Sequence, residues 1–371
     1  MPTLLPRSPL AVLLGVFVLS CTWAVSAHAL PERKSHGTMV LDVIDTFIIP
    51  RVEGLANNTA ALASAVDAVC RQGGDVARKT ATDAFAATVR SWGGLDFIRF
   101  GPAMREHRLE RILFWPDPRG FASRQLNQLL AARKPDLLAP GGLARQSVAV
   151  QGLTALEILL FDEKTPLGTG TDDAARYRCA LAAAVAANIH GVASEIRGGW
   201  SGEDGYRMKM LTPGSDNALY KDSSETVREV AKALVMGLEL CRDRFILPEL
   251  TAVTANPPRR VRLVFEASGL TGAYLEASLR ALRQLFDATG LDAYIPADKP
   301  WMESFLPTSW NSLFADVARL DGLRANERGS PAHLHALRKM RFDLGGIRNI
   351  VVKELAPNAG IMMGFNELDG D

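Results

Sequence analysis

One carboxylate in this chain lies where a charge has little reason to be. Glu157 falls inside Gly-Leu-Thr-Ala-Leu-Glu-Ile-Leu-Leu-Phe-Asp, residues 152–162, three positions after the hydroxyl of Thr154. The spacing predicts a helix over 142–162. Winding it at about 100° per residue puts Val148, Gly152, Ala155, Leu156, Leu159 and Leu160 on one broad face. Thr154 and Glu157 lie opposite, but Leu153, Ile158 and Phe161 flank them, so the helix is apolar nearly all round. Such a helix needs cover on both sides. Under cover, an isolated anion must be paired, hydrogen-bonded, protonated or bound to a ligand. Two readings follow: a ligand or metal site centred on Glu157, or a structural carboxylate paired with a buried arginine. Thr154 has a local reading as well, its hydroxyl bonding the carbonyl of Val150 one turn back.

Other groups that can do chemistry are scattered. Arg99 is a candidate partner for Glu157 or an anion-binding group. Glu266-Ala267-Ser268-Gly269 is a further, weaker polar candidate in the second half. His107 and Glu110 are three apart, in a segment so rich in Arg and Glu that it reads as a salt-bridged, solvated face. His333 and His335 lie about 200° apart on a helix and cannot share one ion. His190 reads as a packing residue among alanines, and His36 as part of a loose N-terminal tail. The ending, with Glu367, Asp369 and Asp371, offers oxygen ligands for a hard cation or a hydrated tail. No His-Glu-x-x-His zinc-protease helix occurs.

The N-terminus reads as an address. Arg7 precedes a stretch, 8–27, without Asp, Glu, Lys or Arg, and Ala27-His28-Ala29 offers a small-x-small cleavage site. Residues 1–29 are therefore expected to be a signal peptide cleaved after Ala29. The alternatives are lipidation at Cys21 and an uncleaved anchor. Of 42 basic and 41 acidic residues only Arg7 would be removed, leaving a balanced chain. Balance argues against nucleic acid or an anionic membrane surface as main partner. Cys70, Cys179 and Cys241 would remain. The oxidising envelope permits a disulfide, with Cys70 and Cys179, both in the first half, as the candidate pair. Three buried apolar thiols are the alternative.

The elements that must position these groups are helical. Helices are expected over 38–71 (broken near Gly54), 75–92, 119–134, 142–162 and 172–197. After the glycine-rich break at 198–205 come 223–245 capped by Asp222 or Ser223, then 271–289, 309–325 and 332–356. Alternating β-branched runs are scarce. A mature chain of roughly 340 residues exceeds one ordinary core. The fold class expected is all-α: two tandem up-and-down helical bundles, 30–205 and 206–371, with a cleft between them.

Gly152, Thr154 and Glu157 resemble the Gly-x-His-x-x-Glu signature of the imelysin family, also called peptidase M75, with Thr154 in the histidine position. Trp92, Arg99-Phe100-Gly101-Pro102, Trp115-Pro116, Trp200 and the ending 364–371 resemble other family landmarks in the same order. The resemblance implies an exported helical protein and, for some members, iron uptake. In members with the full motif, His and Glu three apart can supply metal ligands from one helical turn. A threonine hydroxyl is a poor substitute, so the peptidase label does not transfer. The expectation is a periplasmic, non-catalytic component that binds a small solute or metal ion, iron or another divalent cation, with envelope iron-uptake proteins as partners. Glu157 is the candidate metal ligand, and Gly152, Thr154, Glu157 and Arg99 the candidate cleft. A divergent metallopeptidase and an interaction protein that has lost its metal site are the alternatives.

Overall fold

Glycine, proline and capping residues set where each helix begins and ends. The computed structural model describes residues 32–321 and 329–364. The expected signal segment with Cys21 and Ala29 lies outside the described residues, as does the acidic ending with Glu367, Asp369 and Asp371. Among the described residues all regular structure is helical. The first rod is α1 (His36–Asp42), a π-turn (Val43–Ile48) and α2 (Ile49–Gln72). It carries no break at Gly54, contrary to the sequence expectation. The irregular turn lies just ahead of Pro50, whose ring removes the N–H that a regular helix would offer to the carbonyl of Thr46. Gly73, at φ 64°, ends α2 and hands the chain to α3 (Gly74–Gly93).

Then come α4 (Arg108–Ile112), α5 (Phe121–Ala132), α6 (Leu153–Leu160) and α7 (Asp173–Trp200). Asp117 opens α5 by accepting from the backbone N–H groups of Phe121 and Ala122 at 2.8 and 2.9 Å, and Asp172 caps α7 through Ala175 N–H at 2.7 Å. The later helices are α8 (Tyr206–Leu211), α9 (Ser223–Cys241), α10 (Leu247–Thr254), α11 (Thr271–Thr289), α12 (Met302–Asp321) and α13 (Pro331–Ile350). Asp222 caps α9 from both Ser224 and Glu225 N–H, and Gly290 closes α11 in the left-handed conformation. α12 begins ahead of the expected 309 and carries Pro307 within it.

The central rod α2 packs along α3 and α7. Cys70 of α2 and Cys179 of α7 form a disulfide with a Cα–Cα distance of 5.4 Å, and Cys241 is a buried free thiol. In the second half α11 packs on α9 and α12, and α12 on α13. The halves interlock, because α1 lies on α9 and α3 on α11. The α3–α11 contact needs Gly93: a Cβ there would press into the ring and carbonyl of Tyr274.

One expected helix is mostly absent. Residues 142–152 form two 3-10 turns, Leu143–Arg145 and Val148–Val150, and only Leu153–Leu160 is α-helical. Gly152 is the reason. It is extended, at φ −121° and ψ −160°, and lies so close beneath the carbonyls of Arg111 and Ile112 that any Cβ would collide with them. The backbone bends where α4 ends above it, and the helix starts afterwards.

Candidate functional site

Every residue of α6 except Ile158 is buried. This follows from a helix with no polar face, held between α5 and α7. Thr154 does not bond back to Val150. Its hydroxyl donates to the carbonyl of Phe114 at 3.0 Å, which the extended chain at Gly152 allows by leaving no helical turn ahead of Thr154. Glu157 is 3 % exposed. Its Oε1 accepts two hydrogen bonds from one residue of the second half: Ser268 N–H at 2.9 Å and Ser268 Oγ–H at 2.6 Å.

Ser268 is presented by a tight turn. Leu270 N–H donates to Phe265 O at 2.9 Å and Gly269 N–H to Glu266 O at 3.2 Å. Thr271 Oγ1 donates to Val264 O at 2.6 Å. Gly269 is at φ 70° and Phe265 at φ 56°. The phenylalanine is a non-glycine residue in the left-handed region, a cost of about 1–3 kcal/mol. Burial of its ring offsets that cost. Phe265 meets Tyr274 edge-on at 5.2 Å and Phe85 at 6.0 Å, and Phe85 meets Phe161 at the end of α6 at 5.4 Å. The turn is thus seated on the same aromatic cluster as the helix it clamps.

Burial pushes the Glu157 carboxyl above its usual range. The two Ser268 hydrogen bonds and the Arg262 charge pull the other way without cancelling it, and Glu266 adds to the rise. No buried arginine pairs with Glu157 at ion-pair distance among the described residues, so serine takes the role given to arginine in the sequence reading.

These residues do not fit a resident metal ion. One oxygen of the motif's carboxylate is held by Ser268, and the threonine hydroxyl is spent on Phe114. Among the described residues no group of three or more His, Cys, Asp or Glu could hold an ion. His36, His190 and His333 each make a structural contact. His36 is not loose: it opens α1 and its Nε2 lies 2.7 Å from Ala359 O. His190 Nδ1 meets Thr59 Oγ1 at 3.2 Å. His333 is buried, accepting Gly329 N–H at 2.7 Å and facing Glu249 at 3.4 Å. His107 has φ 55° and precedes α4, so it shares no regular helical face with Glu110.

Arg99 stands elsewhere, and neither it nor Glu157 figures among the charges acting on the other. It lines a cavity of about 540 Å³ with Phe97, Phe100, Lys232, Met236 and Met363, below α9. Beside it is a polar hub that the sequence reading missed. Buried Asp96 accepts from both the Arg244 guanidinium and the Tyr274 hydroxyl, joining the loop after α3 to the second half. The only sequence signal was an aspartate, Asp96, amid the apolar run Leu95 to Ile98.

The family model described as Imelysin matches residues 48–335. Among solved structures, an imelysin-like protein from Psychrobacter arcticum superposes with a TM-score of 0.72 at 19% identity, covering 90% of this chain and 98% of that one. A protein named as an iron-regulated protein A precursor, from Parabacteroides distasonis, gives 0.66 at 14% identity, covering 87% and 96%. No curated protein matches by sequence.

Proposed function

The chain belongs to the imelysin family, and from that premise we propose an exported, non-catalytic binding protein of the cell envelope that holds a small solute and works alongside iron uptake. The observation that carries this reading is the division of labour between two places. At the family motif both polar side chains are engaged internally, Thr154 by Phe114 and Glu157 by Ser268, so that motif clamps the two halves of the chain, 30–205 and 206–371. A space open to a ligand is the cavity of about 540 Å³ beside Arg99, a volume within the range of small-molecule sites. The Cys70–Cys179 disulfide agrees with an oxidising compartment, and so with cleavage after Ala29 or lipidation at Cys21. The iron connection rests on the name of the Parabacteroides distasonis relative.

Protein purified from its native envelope tests the reading. Native mass spectrometry should show a small organic molecule bound and no stoichiometric metal, with a mature N-terminus at Leu30. Ferrous, ferric, calcium and zinc ions should each leave the Tm of metal-free protein without a saturable rise. A saturable rise with one ion, lost in Glu157→Ala, would replace solute binding with metal binding at the motif. Chelator-sensitive proteolysis lost in the same variant would make the protein an enzyme.

A further inference from the structure

Arg99 is a half-buried cation that makes no ion pair among the described residues. Its Nε is sealed from solvent and meets no acceptor among the described residues. Burial pulls its guanidinium below the usual range, and the like charge of Arg244 pulls it further, while Asp96, Glu110 and Tyr274 oppose. Three of the anions nearby have other partners, and Glu110 makes no ion pair with Arg99 among the described residues. Asp96 is committed to Arg244 and Tyr274. Glu239, on the cavity wall, holds Arg348 at 2.6 Å. Glu229, also on the wall, lies 3.9 Å from Lys232 on the same helix. A buried charge left in this condition is costly unless a counter-charge reaches it.

Lys232 also lines the cavity, and the rest of the wall is mostly apolar, with Phe97, Phe100, Val235, Met236 and Met363. Resting on the solute-binding reading above, we propose that this cavity takes a small organic carboxylate, received by the Arg99 guanidinium, with its apolar body laid against Phe97, Phe100 and Met236. The planar guanidinium matches a carboxylate in a two-bonded fork. A neutral solute would leave the guanidinium unsatisfied.

Calorimetric titration of the mature protein with benzoate, phenylacetate and hexanoate, each beside its neutral amide, tests this. At least one acid should bind, and its amide should bind at least about tenfold more weakly, the scale of a charge-assisted hydrogen bond. Arg99→Met should erase that difference, and Arg99→Lys should retain part of it. Arg99→Met should also leave the Tm of the ligand-free protein unchanged or raised, since it removes an unpaired buried charge. Amides binding as tightly as acids would overturn the carboxylate assignment while keeping the cavity as a solute site. Failure of all three acids to bind would overturn the proposal. The solute reading itself would fall only if protein from the native envelope also carried no organic molecule. A lowered Tm in Arg99→Met would make Arg99 a structural cation and overturn the proposal too.

Discussion

Glu157 and Ser268 exchange two hydrogen bonds across 111 residues of sequence, and what that exchange is worth depends on pH. Burial raises the folded carboxyl above its ordinary value. The protonated form is therefore favoured by folding, and the stability it contributes is present below the ordinary carboxyl range. It is lost as pH rises through the raised folded value. Glu157→Gln keeps an oxygen to accept from Ser268 and removes the charge. It should melt at or above the wild type near about pH 8, with the gap closing as pH falls toward about 4. Glu157→Ala leaves the Ser268 N–H without its acceptor, while the Ser268 hydroxyl keeps Phe265 O at 3.2 Å, and should cost about 1–3 kcal/mol at any pH in that span. Thermal melts across the range decide the matter: a glutamine variant clearly weaker than wild type at the alkaline end would mean that the charge itself stabilises the clamp.

α6 shows what a sequence discloses about an element and what it withholds. The burial of Glu157 was legible, because no polar face exists on residues 153–160. The helix length was not, because the kink at Gly152 comes from the carbonyls of Arg111 and Ile112, about forty positions earlier. For the same reason Thr154 turned to Phe114 rather than to its own helix. Helices whose limits are written locally, such as α11 between Thr271 and Gly290 or α9 behind Asp222, could be read directly. The partner of Glu157 could not, since no local pattern says which turn of the second half lies above it. The element-scale prediction follows from the close approach. Gly152→Ala must move α4 or α6, and should cost about 1–3 kcal/mol, as overpacking does. It should also shift the amide signals of Arg111, Ile112 and Thr154 in an NMR spectrum. A variant as stable as wild type with unmoved signals would show that the two backbones have room to spare.

At the scale of the whole molecule, the halves of the chain meet through polar contacts as well as packed helices. Glu157–Ser268 is one of them, and Asp45 with Arg207, at 2.8 Å and largely solvated, is another. The weightiest is Asp96, which is buried and neutralises Arg244 while accepting from Tyr274. An exposed pair is worth little, but removing one member of a buried pair strands the other charge at a cost of about 3–5 kcal/mol. Asp96→Asn should therefore destabilise the protein by about that amount in urea denaturation, and more than loss of Asp45 would. Two cations, Arg244 and Arg99, would then lie near each other with their shared anion gone. The double variant Asp96→Asn, Arg244→Met should recover most of the loss, because an apolar side chain of similar length removes the stranded charge rather than leaving it unpaired. If the single variant costs less than about 1 kcal/mol, or the double variant simply adds a second loss, the hub is not what joins the halves. Their union would then rest on the apolar contacts of α3 with α11 and of α1 with α9.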